Sequence, residues 1–137
     1  MEQATRFRDS FFKAYPGIAG WHRRIKNAKP TEERTLAGRK SIFTKNTGVS
    51  GLYNTPVQGT AADIVKAALG TLMRRTRGTS IKTIAAVHDE ILLESDENEA
   101  NMAAALLKDV MERAGNEILA SVPCVAEVNI ADSWAGK

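Results

Sequence analysis

"IKTIAAVHDEILLES", residues 81–95, is the stretch on which the fold turns. Residues 81–87 and 91–93 form two short, mainly apolar runs, and the break between them, His88-Asp89-Glu90, is polar and brief. Runs of that length around a polar break read as strands, and strands joined by so short a turn pair antiparallel. The tip of such a hairpin stands beyond the sheet, so its side chains are held by rigid backbone and still reach solvent.

A carboxylate in that position has the properties a Mg²⁺ ligand needs. Mg²⁺ prefers hard oxygen donors and commonly takes only one or two carboxylates, leaving its other positions to water and substrate phosphates. Asp89 is the candidate ligand and Glu90 a carboxylate placed to act beside it. His88 can donate to a sugar or phosphate, or move a proton. A two-metal centre needs more than one aspartate, so the tip is incomplete by itself. Read alone, the same tripeptide is first of all a hydrated polar turn, and only its surroundings favour the ligand reading.

Immediately upstream, "NTPVQGTAADIVKAALGTLMRR", residues 54–75, spaces Ala61, Ile64, Val65, Ala68, Leu72 and Met73 with the period of one long helix that stops near Gly78. Asn54 and Gln58 lie four residues apart, so they share a face with Ala61, Ala62 and Val65 and extend the apolar stripe with amides. Two readings of the helix start stand side by side. In one, Thr55 caps the helix, Pro56 occupies its first turn and Gln58 reaches back, a capping box. In the other, the amides face a groove and donate to the acceptors that every base pair presents in the DNA minor groove, which tests pair shape with little sequence preference.

Downstream, residues 97–119 repeat the helical pattern through Ala103, Leu106, Leu107, Val110, Ala114 and Ile118, and Pro123 closes that helix. "CVAEVNI", residues 124–130, alternates as a final strand would. Toward the N-terminus, residues 2–14 and 18–28 read as two amphipathic helices, residues 34–43 as a small hairpin around Ala37-Gly38, and residues 44–51 as loop. Phe7, Phe11, Phe12, Trp21 and Trp134 are expected to pack, Arg74, Arg75 and Arg77 to complement a helix C-terminus, and His22 has no evident partner. The order helix, strand, strand, helix, strand gives an α+β fold, an antiparallel sheet with helices on one face. It divides into an N-terminal helical segment with a basic hairpin, residues 1–50, and a C-terminal part, residues 51–137.

With 43% hydrophobic and 26% charged residues, the composition is that of an ordinary globular domain. No apolar run approaches a membrane span, and the N-terminus lacks a signal segment, so the expected location is the cytoplasm. One cysteine, Cys124, rules out an internal disulfide and is read as a buried thiol. The net charge of +3 conceals an asymmetry: residues 1–82 carry 16 Lys and Arg against 5 Asp and Glu, residues 83–137 carry 3 against 11. A basic half of this size suits a polyanion such as nucleic acid.

"NTPVQGTAADIVKAAL" followed by "AAVHDEILLES" resembles the closing part of family A DNA polymerases, the group of bacterial DNA polymerase I, whether the source is bacterial or phage. "YPGIAGW", "TLAGRK" and "ADSWAGK" extend the resemblance over nearly the whole chain. It implies the antiparallel hairpin sheet of a polymerase palm packed on long helices, with an N-terminal segment from the fingers–palm junction. Asp89 would then be a catalytic Mg²⁺ ligand, Glu90 the adjacent carboxylate, and His88 a contact to the primer 3′ end. Asn54 and Gln58 would line the minor groove of the primer–template duplex. Arg39 and Lys40 correspond to a basic turn with a phosphate or structural role.

The family's first metal aspartate and its nucleotide-binding fingers helix are missing from these residues, and neither Asp63 nor Asp132 replaces that aspartate. Ser50 stands where the family often has arginine. The resemblance therefore implies a DNA-directed DNA polymerase part, a nucleotidyltransferase piece whose partners are primer–template DNA, deoxynucleoside triphosphates and an N-terminal polymerase fragment supplying the missing groups. It supplies one ligand of a two-metal Mg²⁺ site. The competing expectations are a non-catalytic duplex-DNA-binding module and an inactive remnant. A piece of a larger domain is also expected to expose apolar surface and self-associate.

Overall fold

Two antiparallel hairpins and four helices make up the computed structural model, which describes residues 2–136. In chain order these are α1 (Glu2–Ala14), α2 (Pro16–Ala28), β1 (Glu32–Arg34), β2 (Lys40–Ile42), α3 (Val49–Arg75), β3 (Lys82–Val87), β4 (Glu90–Glu94) and α4 (Ala100–Ile118). Single 3₁₀ turns occupy Glu97–Glu99 and Trp134–Gly136. β1 pairs with β2 and β3 with β4, as two separate two-stranded sheets. The α+β class expected from the sequence is the class observed.

The core sits where α3, α4 and β4 meet. α4 buries Ala103, Leu107, Val110 and Ala114 at three- and four-residue steps, the last three against Ala68 and Leu72 of α3 and Ile91 of β4. Leu72 is completely buried, so truncating it to alanine should cost about 2–5 kcal/mol. A two-stranded hairpin is at best marginal in water; β3–β4 holds its shape because Ile91 and Leu93 anchor it to this helix pair.

α3 begins at Val49, five residues before the sequence signal places it, with Gly48 in extended conformation as its N-cap. Pro56 is therefore inside the helix and Thr55 is not a cap. The Thr55 hydroxyl instead donates back to the Gly51 carbonyl at 2.7 Å, and Gln58 is exposed, so no capping box forms. Tertiary contacts explain the earlier start: Leu52 is buried, and the Tyr53 hydroxyl donates to the carbonyl of His22 at 3.2 Å. At its other end α3 stops at Arg75, and Gly78 lies in the following turn with φ 80°. Because α3 starts at Val49, the expected division at residues 50 and 51 falls within one helix.

Residues 124–130 keep the alternation read from the sequence but form no strand among the described residues. Cys124, Ala126 and Val128 turn inward while Val125, Glu127 and Asn129 face out. The segment runs along α4, where the Cys124 N–H donates to the Asn116 side-chain oxygen at 2.8 Å and the Ala126 N–H to a Glu112 carboxylate oxygen at 3.2 Å. A two-residue period specifies a chain buried on one side; a ladder also needs a second backbone beside it. Gly115 permits the close approach, since a Cβ there would lie 2.3 Å from the Cys124 sulfur. Cys124 itself is only half-buried.

α1 buries no residue. Phe7 and Phe11 are 68% and 46% exposed, so neither is the core side chain the sequence suggested, although Phe11 meets the rings of Phe12 and Tyr15; Trp134, 54% exposed, lies at the edge. Ile42, Met73 and Val125 are each more than 70% exposed, in line with the expected open apolar surface. None of the described helices is long and apolar enough to cross a membrane.

Candidate active-site tip and nucleic-acid interface

Val87 pairs with Glu90, which leaves His88 and Asp89 as a two-residue turn. His88 has φ 56°, one of two non-glycine residues with positive φ among those described. Two-residue hairpin turns with positive φ at the first position normally take glycine there, and a side chain in that region costs on the order of 1 kcal/mol. The turn thus retains an imidazole where backbone economy favours none. His88, Asp89 and Glu90 are all exposed, and among the described residues no hydrogen bond or ion pair engages the side chains of His88 and Asp89.

Asn54 and Gln58 are exposed on α3 beside the exposed Ala61 and Ala62. The two amides and two small side chains form an open face, so they do not continue the buried stripe. That stripe comprises Ile64, Val65, Ala68, Leu69 and Leu72, with Ala61 exposed and Met73 71% exposed. Residues 76–81 link the C-terminus of α3 to β3, so the tip and the amide face both lie at ends remote from that link. Ser50 is exposed in the first turn of α3, one turn before Asn54.

The basic turn is committed within the molecule. Arg39 donates from Nε to Asp63 Oδ1 at 2.7 Å and from its terminal nitrogen to the Gly59 carbonyl at 3.0 Å. Lys40 pairs with Glu32 across β1 and β2. The buried Thr60 hydroxyl accepts from the Leu36 N–H at 3.1 Å and donates to the Pro56 carbonyl at 2.6 Å. The Thr35 hydroxyl and the Arg39 guanidinium beside Asp63 hold its carboxyl below the usual aspartate range. Of the two roles open to Arg39, the structural one has visible partners. Asp63 is engaged here, away from the hairpin tip, and Asp132 lies in the terminal segment.

Sequence reasoning also missed the partner of His22. Its ring stacks on Tyr53, centroids 3.9 Å apart and planes within 5°, and Phe12 meets it edge-on at 5.3 Å. The positions are 31 residues apart, so no local pattern signals the pair.

The model of DNA polymerase family A matches residues 1–136. The chain belongs to DNA polymerase family A. It is 34% identical to DNA polymerase I of Aquifex aeolicus over 98% of its own length and 24% of that protein. It is 33% identical to the thermostable DNA polymerase I of Thermus thermophilus over 97% of its length and 17% of that protein. Among solved structures it resembles the POL domain of Pol1 from M. smegmatis in complex with DNA primer-template and dNTP. That likeness has a TM-score of 0.70 and 27% identity, covering 82% of this chain and 22% of the other. The chain thus spans a quarter or less of the length of these family A relatives.

No group of three or more His, Cys, Asp or Glu that could hold a metal is present among the described residues. The tip offers hard oxygen donors in the number that Mg²⁺ accepts from a protein, one or two, and no closed cage. As a donor set it fits one contribution to a shared Mg²⁺ site.

Proposed function

We propose that this chain contributes one part of the active site of a template-directed DNA polymerase, in which Asp89 holds catalytic Mg²⁺ and Asn54 and Gln58 read the minor groove of the primer–template duplex. The observation that carries the reading is the hairpin tip of a family A chain, where a strained histidine and a free, exposed aspartate stand together. Mg²⁺ bound there would stabilise negative charge on the attacking and leaving oxygens of nucleotidyl transfer. The chain's own tasks are placement: Asp89 holds its ligand oxygen on a rigid turn, Glu90 adds negative charge beside it, and His88 donates to the primer 3′ end. The amides of α3 supply hydrogen-bond donors toward base-pair acceptors.

The first metal aspartate and the fingers helix must come from residues outside these 137, on the same longer polypeptide or on a separate one, and these residues alone are inactive. Primer extension with Mg²⁺ and four deoxynucleoside triphosphates tests this. The chain is assayed alone, with a family A polypeptide ending before the region matched here, and as Asp89→Ala in that mixture. Extension confined to the mixture and lost in Asp89→Ala supports the proposal; extension undiminished by Asp89→Ala refutes it.

The charge asymmetry favours a second reading, a duplex-DNA-binding module without chemistry. It requires affinity that falls steeply with salt and is indifferent to both Mg²⁺ and Asp89.

A further inference from the structure

A cleft of about 250 Å³ opens between α1, α2 and α3, on the amino-terminal side of the molecule, and is lined by Phe12, Ala19, His22, Arg23, Lys26 and Tyr53. Its wall is aromatic. His22 is stacked on Tyr53, Phe12 stands edge-on to His22, and Trp21 tilts toward Tyr53 at 5.9 Å. All four rings are only half-buried, so part of their surface remains open. The Tyr53 hydroxyl fixes the arrangement by its hydrogen bond to the His22 carbonyl.

The rim is cationic. α2 carries Arg23, Arg24 and Lys26 and contains no acidic residue, and among the described residues no ion pair neutralises any of the three. Arg23 and Lys26 are three apart and therefore neighbours on one helix face. Aromatic surface beside uncompensated cations matches a ligand with a flat π-system and a phosphate. Every nucleobase has such a face, which is why unpaired strands bind aromatic clefts with little sequence preference.

We propose that this cleft is a binding site for an unpaired DNA strand, with one base stacked against the Phe12–His22–Tyr53 cluster and adjacent phosphates on Arg23 and Lys26. Continuity with the amide face favours a strand over a free nucleotide: Tyr53 directly precedes Asn54 on α3, so the cleft flanks that face on the same turn. The proposal goes beyond the hairpin-tip reading and needs neither Mg²⁺ nor Asp89.

Fluorescence anisotropy of a labelled short oligothymidylate, titrated with the full chain, tests it. The same titration is run with an abasic strand of equal length and with thymidine monophosphate as competitor. The double variant Arg23→Gln/Lys26→Gln should bind roughly tenfold more weakly and lower the slope of log affinity against log salt by roughly 1.4. A charge-matched control, Arg74→Gln/Arg77→Gln, should bind appreciably better than that variant. The unmodified chain should prefer oligothymidylate to the abasic strand by about tenfold, and His22→Ala should erase that preference.

Equal losses in the two double variants would reduce the binding to diffuse charge and overturn the proposal. So would the lack of any base preference in the unmodified chain, which involves no variant whose folding could fail. Displacement of the strand by thymidine monophosphate at equal nucleotide concentration would mean a mononucleotide pocket instead. If primer extension fails but this preference holds, the cleft stands without the polymerase reading.

Discussion

The two hairpins share a topology and are opposite in commitment. β1–β2 spends its polar groups on its own molecule: Arg39 is clamped to Asp63 and Gly59, Lys40 to Glu32, and the backbone at Leu36 to Thr60. β3–β4 anchors its apolar residues in the core and leaves His88 and Asp89 unengaged, one of them in a strained backbone conformation. Satisfied polar groups stabilise a fold, while unsatisfied exposed ones on rigid backbone are available to a ligand. That a segment forms a hairpin says little about which of these roles its turn has.

The contrast between the hairpins should tell most at Asp89. Asp89→Ala should lower primer extension in the reconstituted mixture on the order of 10³-fold, the equivalent of several kcal/mol of metal-derived stabilisation. Its urea midpoint should stay put, because exposed substitutions without partners seldom move stability beyond about 0.5 kcal/mol. A large drop in the midpoint would show that the tip is structural after all.

The converse experiment is at Gly59, where a Cβ would lie 2.7 Å from the Thr35 methyl and 3.2 Å from the Arg39 guanidinium. Gly59→Ala should destabilise by about 1–3 kcal/mol through overpacking, read as a lower urea midpoint. An unchanged midpoint would mean that the first hairpin is not clamped to α3 as described.

His88→Gly separates the two roles within one residue. Relief of the positive φ and the greater freedom of an unfolded glycine oppose each other, so stability should change by no more than about 1 kcal/mol. Primer extension should fall all the same. Retained extension would assign His88 to the turn alone.

The smallest effect concerns acid. The carboxyl of Asp63 ionises below the usual aspartate value in the folded chain, so the stability it confers is full above the unfolded value near about 4. That stability is lost as pH falls through the lower folded value. Thermal melts taken downward from pH 5 should therefore decline less steeply in Asp63→Asn than in the unmodified chain; parallel declines would remove Asp63 from the clamp.

Much of this was legible in the residues. α4 and the β3–β4 hairpin follow from periodicity because both are local patterns, and the polar break at residues 88–90 marks the tip to within one residue, Glu90 belonging to β4 and not to the turn. The start of α3 was misread because Thr55 and Pro56 make a plausible local boundary, whereas Leu52 and Tyr53 carry the helix upstream through contacts distant in sequence. The same non-locality hid the His22–Tyr53 stack and left residues 124–130 without a second strand. The strain at His88 depends on turn register to a single residue, which an apolar pattern does not specify.

The first helix carries a different consequence. With no buried residue, α1 belongs to the low-stability end of the molecule, where opening proceeds without disturbing the core. Its backbone amides should exchange with deuterated solvent well before those of α3 and α4. Yet Phe12, one wall of the aromatic cleft, is supplied by this helix. A strand seated in the cleft would have to hold α1 closed, so its arrival should be visible as slowed exchange in α1, far from the hairpin tip in the chain.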